Sequence, residues 1–323
     1  MTHDDGRSRL RNPSTLRSPS TLRAYLQLVR LPNVFTAMAD AAMGFLFVQG
    51  ITNSRDGWTL GLLIGASSLL YASGVVFNDV FDHRLDALER PERPIPSGRV
   101  PLRVAAWLGG ELMLLGVALA WLAGYVSGSF HPGVVAVLLA GCILAYDGLL
   151  KRTPVGPLAM GGCRMLNVLL GMSVATVAAW QTEHWLVAGG VGTYIVGVTW
   201  FARTEARRSS PLQLGLATAV MMLGIGLLAW FPSFLEWPAV LRLQPEGWQM
   251  LMLVLGLLIG WRCLRAVLDP IPPRVQMAVA HAILSLIVLD AVICFAVRDD
   301  VSALAILLLL APAMYLGRWI EST

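Results

Sequence analysis

Charge is scarce in this chain. Asp, Glu, Lys and Arg make up 14% of its 323 residues, against roughly 25% in an ordinary soluble domain. Hydrophobic residues make up 56%. That balance excludes a soluble enzyme, a disordered protein and a nucleic-acid binder. Lysine is almost missing: Lys151 is the only one. The formal net charge of +4 does not call for a polyanion partner, because the arginines cluster at the ends of apolar runs, where membrane topology accounts for them. Cysteine is rare too. Cys142, Cys163, Cys263 and Cys294 all lie inside apolar runs and form no CxxC pair. They read as small buried residues, with neither a disulfide nor a metal site. The stretches Gly161-Gly162 and Gly189-Gly190-Val191-Gly192 lack the preceding strand and the Lys-Ser/Thr of a phosphate loop, so close helix packing is the better reading.

What the chain has in abundance is long apolar runs. A membrane helix needs about 20 mostly apolar residues. Runs near 33–49, 58–77, 103–126, 133–150, 157–180, 184–202, 212–231, 248–267, 276–297 and 301–318 meet that measure. The last two are parted only by Arg298, Asp299 and Asp300, so they form either a tight hairpin or one broken element. The fold class is therefore all-α, a polytopic bundle of nine or ten transmembrane helices. Residues 1–23 are polar and rich in Ser and Arg, lack an apolar core of their own, and are expected to be a disordered cytosolic tail; residues 24–323 form the membrane domain. Basic residues fall in alternate loops: Arg84 to Arg103, Lys151-Arg152, Arg203 to Arg208 and Arg262 to Arg274 on the side of the N-terminus, few on the other. The positive-inside rule places that side in the cytosol. No organellar transit signal is evident, so a bacterial plasma membrane is the expected location.

The distinctive segment is Asn78-Asp79-Val80-Phe81-Asp82-His83-Arg84-Leu85-Asp86, at the end of the second run. On a continuing helix, Asp79 to Asp82 is i+3, while Asn78 to Asp82 and Asp82 to Asp86 are i+4, so all four share one face. Three carboxylates this close repel unless a cation neutralises them. Their hard oxygens suit Mg²⁺, which binds through one or two carboxylates plus substrate phosphates. A solvated acidic face is the plainer alternative. Next comes Arg90-Pro91-Glu92-Arg93-Pro94-Ile95-Pro96-Ser97-Gly98-Arg99, an ordered loop whose prolines forbid a regular helix. Its arginines suit diphosphate oxygens, or serve topology alone. The fourth run ends in Tyr146-Asp147-Gly148-Leu149-Leu150-Lys151-Arg152, whose cation pair is a candidate anion clamp. Within the spans stand Asp40, Glu111, Arg164 and Asp290; charges at membrane depth face a cavity or each other. Arg164, with Asn167 close by, fits either role. His281 reads as a buried, hydrogen-bonded residue.

These residues resemble a family. Asn78-Asp79-x-x-Asp82-x-x-x-Asp86 with Arg93-Pro94-Ile95-Pro96-Ser97-Gly98-Arg99 is similar to the first aspartate-rich motif of the UbiA superfamily of intramembrane prenyltransferases. Tyr146-x-x-x-Leu150-Lys151-Arg152 looks like its helix 4 signature, and Leu28-x-Arg30-Leu31-Pro32-Asn33 like its helix 1 start, where an Asn faces the active site. The segment from Lys151 through Asn167 resembles the EboC-like branch. The resemblance implies two related four-helix halves plus a further helix around a central cavity, and Mg²⁺-assisted transfer of a prenyl group from its diphosphate to a lipid-soluble or aromatic acceptor. It implies metal contact by Asn78, Asp79, Asp82 and Asp86, catalysis by Asp79, Asp82 and Lys151, and substrate contact by Asn33, Arg93, Arg99, Tyr146, Lys151, Arg152, Arg164, Asn167, Arg203 and Glu205. The sequence departs from the family at the second aspartate-rich motif, which here reads Arg203-Thr204-Glu205-Ala206-Arg207-Arg208. Thr204 and Arg208 stand where aspartates are expected. Arginines that replace a second cation are one consequence; a relative that binds or translocates an isoprenoid without ionising it is the other. A secondary transporter fits less well, because its polar sites lie near the midplane and here they gather at one rim.

Overall fold

A computed structural model describes residues 21–175, 179–235 and 243–319. Residues 1–20, most of the segment expected to be a tail, lie outside them; Thr21–Leu28 forms a short helix, α1. The main helices follow in order: α2 (Leu31–Val48), α3 (Ser54–Glu89), α4 (Leu102–Ser127), α5 (His131–Ala145), α6 (Gly156–Met172), α7 (Thr182–Ala202), α8 (Pro211–Trp230), α9 (Pro245–Leu268) and α10 (Pro272–Val297), and the chain closes with α11 (Asp300–Leu308) and α12 (Leu310–Gly317). No strand occurs among the described residues. Nine helical segments among them are long and apolar enough to cross a membrane, and large apolar side chains such as Trp107, Leu114, Trp121 and Leu257 point outward. The protein is an integral membrane protein.

Local chemistry sets the helix ends. Proline stands in the first turn of α2, α5, α6, α8, α9 and α10, where its missing N–H costs nothing. Asn53 and Asp56 form a reciprocal cap on α3. The break between α11 and α12 lies one turn before Pro312, which has no N–H for the Leu308 carbonyl. The last apolar run is therefore one interrupted element. Within the fifth run, expected over 157–180, α6 ends at Met172, and the Ser173 hydroxyl donates back to the Leu170 carbonyl (2.6 Å).

Successive helices pack as neighbours around a ring, with α10 set against α2, α7 and α9, and α2 against α6. Two crossings depend on glycine. A Cβ on Gly171 would lie 2.2 Å from the Ala41 carbonyl oxygen, and one on Gly44 2.3 Å from that of Val168. Gly161 of α6 meets Gly192 of α7 in the same way. The Gly-rich stretches are thus packing surfaces.

Two features shape one end of the ring. At 36 residues, α3 is about 54 Å long and outreaches a hydrocarbon layer of about 30 Å; its last turns carry the Asp array beyond it. The loop after α3 is pinned by Ile95 and Val100, buried with Ala24 and Leu28 of α1 and Val76 of α3. Gly98 turns it at φ 74°, a conformation that favours glycine.

Candidate functional site

The helices enclose a cavity of about 710 Å³. Its inner wall is apolar, with Leu139 and Ile143 of α5, Ile195 and Val198 of α7, and Val279 and Ile283 of α10. Its mouth is charged and sits where α3 emerges.

At the mouth every carboxylate of the α3 array meets a cation. Asp79 accepts from Arg30 (3.2 Å) and Arg93 (3.3 Å), and Asp86 from Arg93 (2.8 Å). Asp82 accepts from Lys151 and from Arg152 (3.1 Å), and Lys151 also donates to the side-chain amide oxygen Oδ1 of Asn78. Local structure aims these cations. A single π-helical turn, Tyr146–Leu150, ends α5 and swings Lys151 toward α3. Arg30 sits in the left-handed region at φ 44°, a strained backbone costing about 1–2 kcal/mol, just before α2 starts at Leu31-Pro32. Arg93 is held by the buried loop.

The expectation of three carboxylates crowding together is therefore corrected: helical spacing gives them one face, but guanidinium and ammonium groups lie between them. Among the described residues no three His, Cys, Asp or Glu side chains stand close enough to hold one metal ion. The donor chemistry still fits a hard cation. Asn78, Asp82 and Asp86 present oxygens to the cavity, and Asp79 lies immediately behind, on arginines that line it.

Deeper in, Arg164 of α6 donates to Asp40 and, through Nη2, to Thr36 (2.6 Å). Asn167 donates to Asp40 (3.0 Å) and to the Ala37 carbonyl (3.0 Å), and accepts from Ser67 (2.7 Å). The guanidinium lies 5.2 Å from the Tyr71 ring centre. Arg164 and Asn167 line the cavity and also tie α6 to α2, so both roles left open by the sequence hold. Asp290 of α10, fully buried, stands beside Asp40.

The opposite rim is the end of α7. Arg203 lines the cavity and donates to the Thr153 carbonyl (2.7 Å). Glu205 is half-buried there; burial pushes its carboxyl above the usual range, while Arg90, Arg30 and Arg93 pull it partly back. Arg207 and Arg208 are exposed and do not line the cavity. They are not the cations that face Glu205.

Asn33, Asn78, Asp82, Asp86, Arg93, Tyr146, Lys151, Arg152, Arg164, Asn167, Arg203 and Glu205 thus share one cavity. Arg99 does not. Its guanidinium is taken by Gln27 (2.8 Å), Ser97 (2.9 Å) and the Glu92 carbonyl (2.5 Å), because the Gly98 turn points it back along the loop. Tyr71, Arg90 and Asp147 also line the cavity; Arg90 lies in the loop marked for diphosphate and Asp147 in the candidate anion-clamp segment, while Tyr71 lies in neither. His281, expected buried, is part-exposed.

A ring of membrane helices around one cavity, with apolar walls and with acids and bases at its mouth, defines a class: intramembrane helical proteins with a single amphipathic cavity open at one end. Within that class the chain belongs to the UbiA prenyltransferase family, whose profile matches residues 37–274. The chain is similar to digeranylgeranylglyceryl phosphate synthase of Saccharolobus solfataricus, 32% identical over 165 residues, 51% of this chain and 54% of the relative. It is similar to that of Metallosphaera sedula, 34% identical over 163 residues, 50% of this chain and 55% of the relative. The matched part spans about half the length of these relatives. Among solved structures, a UbiA homologue of Archaeoglobus fulgidus bound to DMAPP and Mg²⁺ shares the fold at TM-score 0.59, with 14% identity over 88% of this chain and 98% of its own. A digeranylgeranylglyceryl phosphate synthase structure gives TM-score 0.61 with 19% identity over 89% and 100%.

Proposed function

We propose that the protein transfers a prenyl group from a prenyl diphosphate to a lipid-soluble or aromatic acceptor within the membrane, with Mg²⁺ as cofactor. One observation carries the reading: the acids and bases of the mouth converge on the open end of a single apolar cavity. A diphosphate at the mouth takes Lys151, Arg152, Arg93 and Arg30 onto its oxygens, releasing the carboxylates they neutralise. Asp82, Asp86, Asn78 and Asp79 are the residues that would hold Mg²⁺, which when bound adds positive charge against the departing diphosphate. Arg203 and Glu205 close the far rim. The isoprenoid tail lies along Leu139, Ile143, Ile195 and Val198, which keep water from the allylic carbon. The rings of Tyr71 and Tyr146 offer π faces to positive charge developing there. Asn33, Arg164 and Asn167 set the polar floor against which an acceptor is placed. The arginine-rich face is cytosolic by the distribution of charge, and the setting is a bacterial plasma membrane.

A second reading is favoured by one feature. The end of α7 carries Thr204 and Arg208 where the family has carboxylates. On that reading the cavity binds or hands on an isoprenoid without breaking its diphosphate bond.

The test is release of diphosphate from a labelled prenyl diphosphate in membranes supplied with candidate acceptors. Wild type is expected to release it and Asp82→Asn to lose nearly all release. If wild type releases none with any acceptor, while Asp79 and Asp82 variants keep full biological activity, the second reading replaces the first.

A further inference from the structure

A second, smaller cavity of about 240 Å³ opens between α9 and α10, away from the mouth already described. Its wall is mostly apolar, with Leu255 and Ile259 on one helix and Val288 on the other; Arg262, His281 and Ser285 supply its polar atoms. Arg262 stands six residues before the end of α9, about 9 Å in from that face at 1.5 Å per residue. It is exposed on the outer surface of the bundle, within a segment long and apolar enough to cross a membrane.

Hydrogen bonding shows the charge to be uncompensated. His281 Nδ1 lies 2.7 Å from the Met277 carbonyl, and Nε2 lies 2.8 Å from Arg262 Nη1. A carbonyl only accepts and a guanidinium only donates. The ring therefore carries its proton on Nδ1, offers a lone pair at Nε2, and is neutral. Among the described residues, Arg262 has no other hydrogen-bond partner and no acid beside it. A cation facing hydrocarbon with a neutral partner is costly unless an anion meets it. From Arg262 the groove runs back to Leu255, seven residues along α9 and about 10 Å along its axis, the right course for an acyl chain below a headgroup.

We infer that this groove is a phospholipid site that takes an anionic headgroup phosphate on Arg262 and one acyl chain between α9 and α10. Basic pockets between transmembrane helices recognise anionic lipids in this way. The oriented His281 holds the guanidinium over the groove.

The test uses delipidated full-length protein in detergent, with phosphatidylglycerol or phosphatidylcholine added, and native mass spectrometry to count retained lipid. Wild type is expected to retain phosphatidylglycerol several-fold better than phosphatidylcholine. Arg262→Gln should abolish the preference, Arg262→Lys keep part of it, and exposed Arg265→Gln leave it intact. Ile259→Trp, which fills the groove and keeps the charge, should weaken retention independently of any folding defect in the Arg262 variants. The inference is overturned if Arg262→Gln retains phosphatidylglycerol as wild type does, or if Arg265→Gln loses as much. It is equally overturned if Arg262→Gln shifts oligomeric mass with lipid retention unchanged, which would make this face a contact between copies.

Discussion

Asp82 accepts from both Lys151 and Arg152, so its replacement by Asn does more than remove a repelling charge. Spacing alone suggests that loss of one crowded carboxylate relieves strain. The ion pairs reverse that expectation: Asp82→Asn gives up charge-assisted hydrogen bonds worth roughly 1–3 kcal/mol. Its melting temperature should fall by a few degrees while expression persists; an unchanged or raised melting temperature would contradict the pairing. Glu205 offers a pH test. Burial raises its carboxyl above the ordinary value, so the folded state favours the protonated form. Stability from this group is present below the unfolded value and lost as pH rises through the folded one. Diphosphate binding that needs the carboxylate ionised should run the other way, weakening on acidification at a higher pH than a free Glu would set. Glu205→Gln should remove both dependences, read as melting temperature and affinity across that window. The types of these residues were legible, because acids and bases beside apolar runs are few. Their partners were not: Arg30 meets Asp79 through a left-handed backbone that no residue type at position 30 announces.

Helix α6 carries Arg164 and Asn167 into the cavity and lies on α2 through Gly171 and Gly44. A methyl group at position 171 would meet the Ala41 carbonyl at 2.2 Å, a contact that backbone cannot relieve. Gly171→Ala is expected to cost roughly 1–3 kcal/mol by overpacking. Gly189→Ala, where no atom lies within 4 Å of the added carbon, should be neutral or slightly stabilising. Thermal unfolding of the two purified variants makes the comparison, and equal melting temperatures would refute the close crossing. At this scale the sequence told much. Apolar length located ten stretches, and i+3 and i+4 spacing carried α3 through its acids. The π-helical turn at Tyr146–Leu150 was hidden, because Tyr-Asp-Gly-Leu-Leu has no local signature of it and its reach toward α3 is a tertiary matter. The early end of α6 was hidden for a related reason: hydropathy runs on past Met172 after the helix has stopped.

Around the central cavity the charged residues form two layers, one at the mouth and one at depth around Arg164, Asp40 and Asp290. Because the mouth carboxylates already hold Arg and Lys, Mg²⁺ alone should bind weakly. A prenyl diphosphate that draws those cations away should make the two ligands bind cooperatively, seen as a thermal shift larger together than the sum of each alone. Tight Mg²⁺ binding indifferent to diphosphate would count against the exchange. The mouth layer was legible as acids and bases gathered at one rim; the pairing in the deep one was not, since Asp40 and Arg164 are 124 residues apart and only the closed ring brings them together. The length of α3 has a consequence of its own. A helix that outreaches the bilayer puts the mouth in water and the cavity in oil, so under the proposed reaction the two halves of the donor reside in different solvents throughout. Cleavage then separates them by solubility: diphosphate escapes to the aqueous phase, the prenylated product dissolves sideways into lipid, and partition between two immiscible media drives turnover forward without a moving gate.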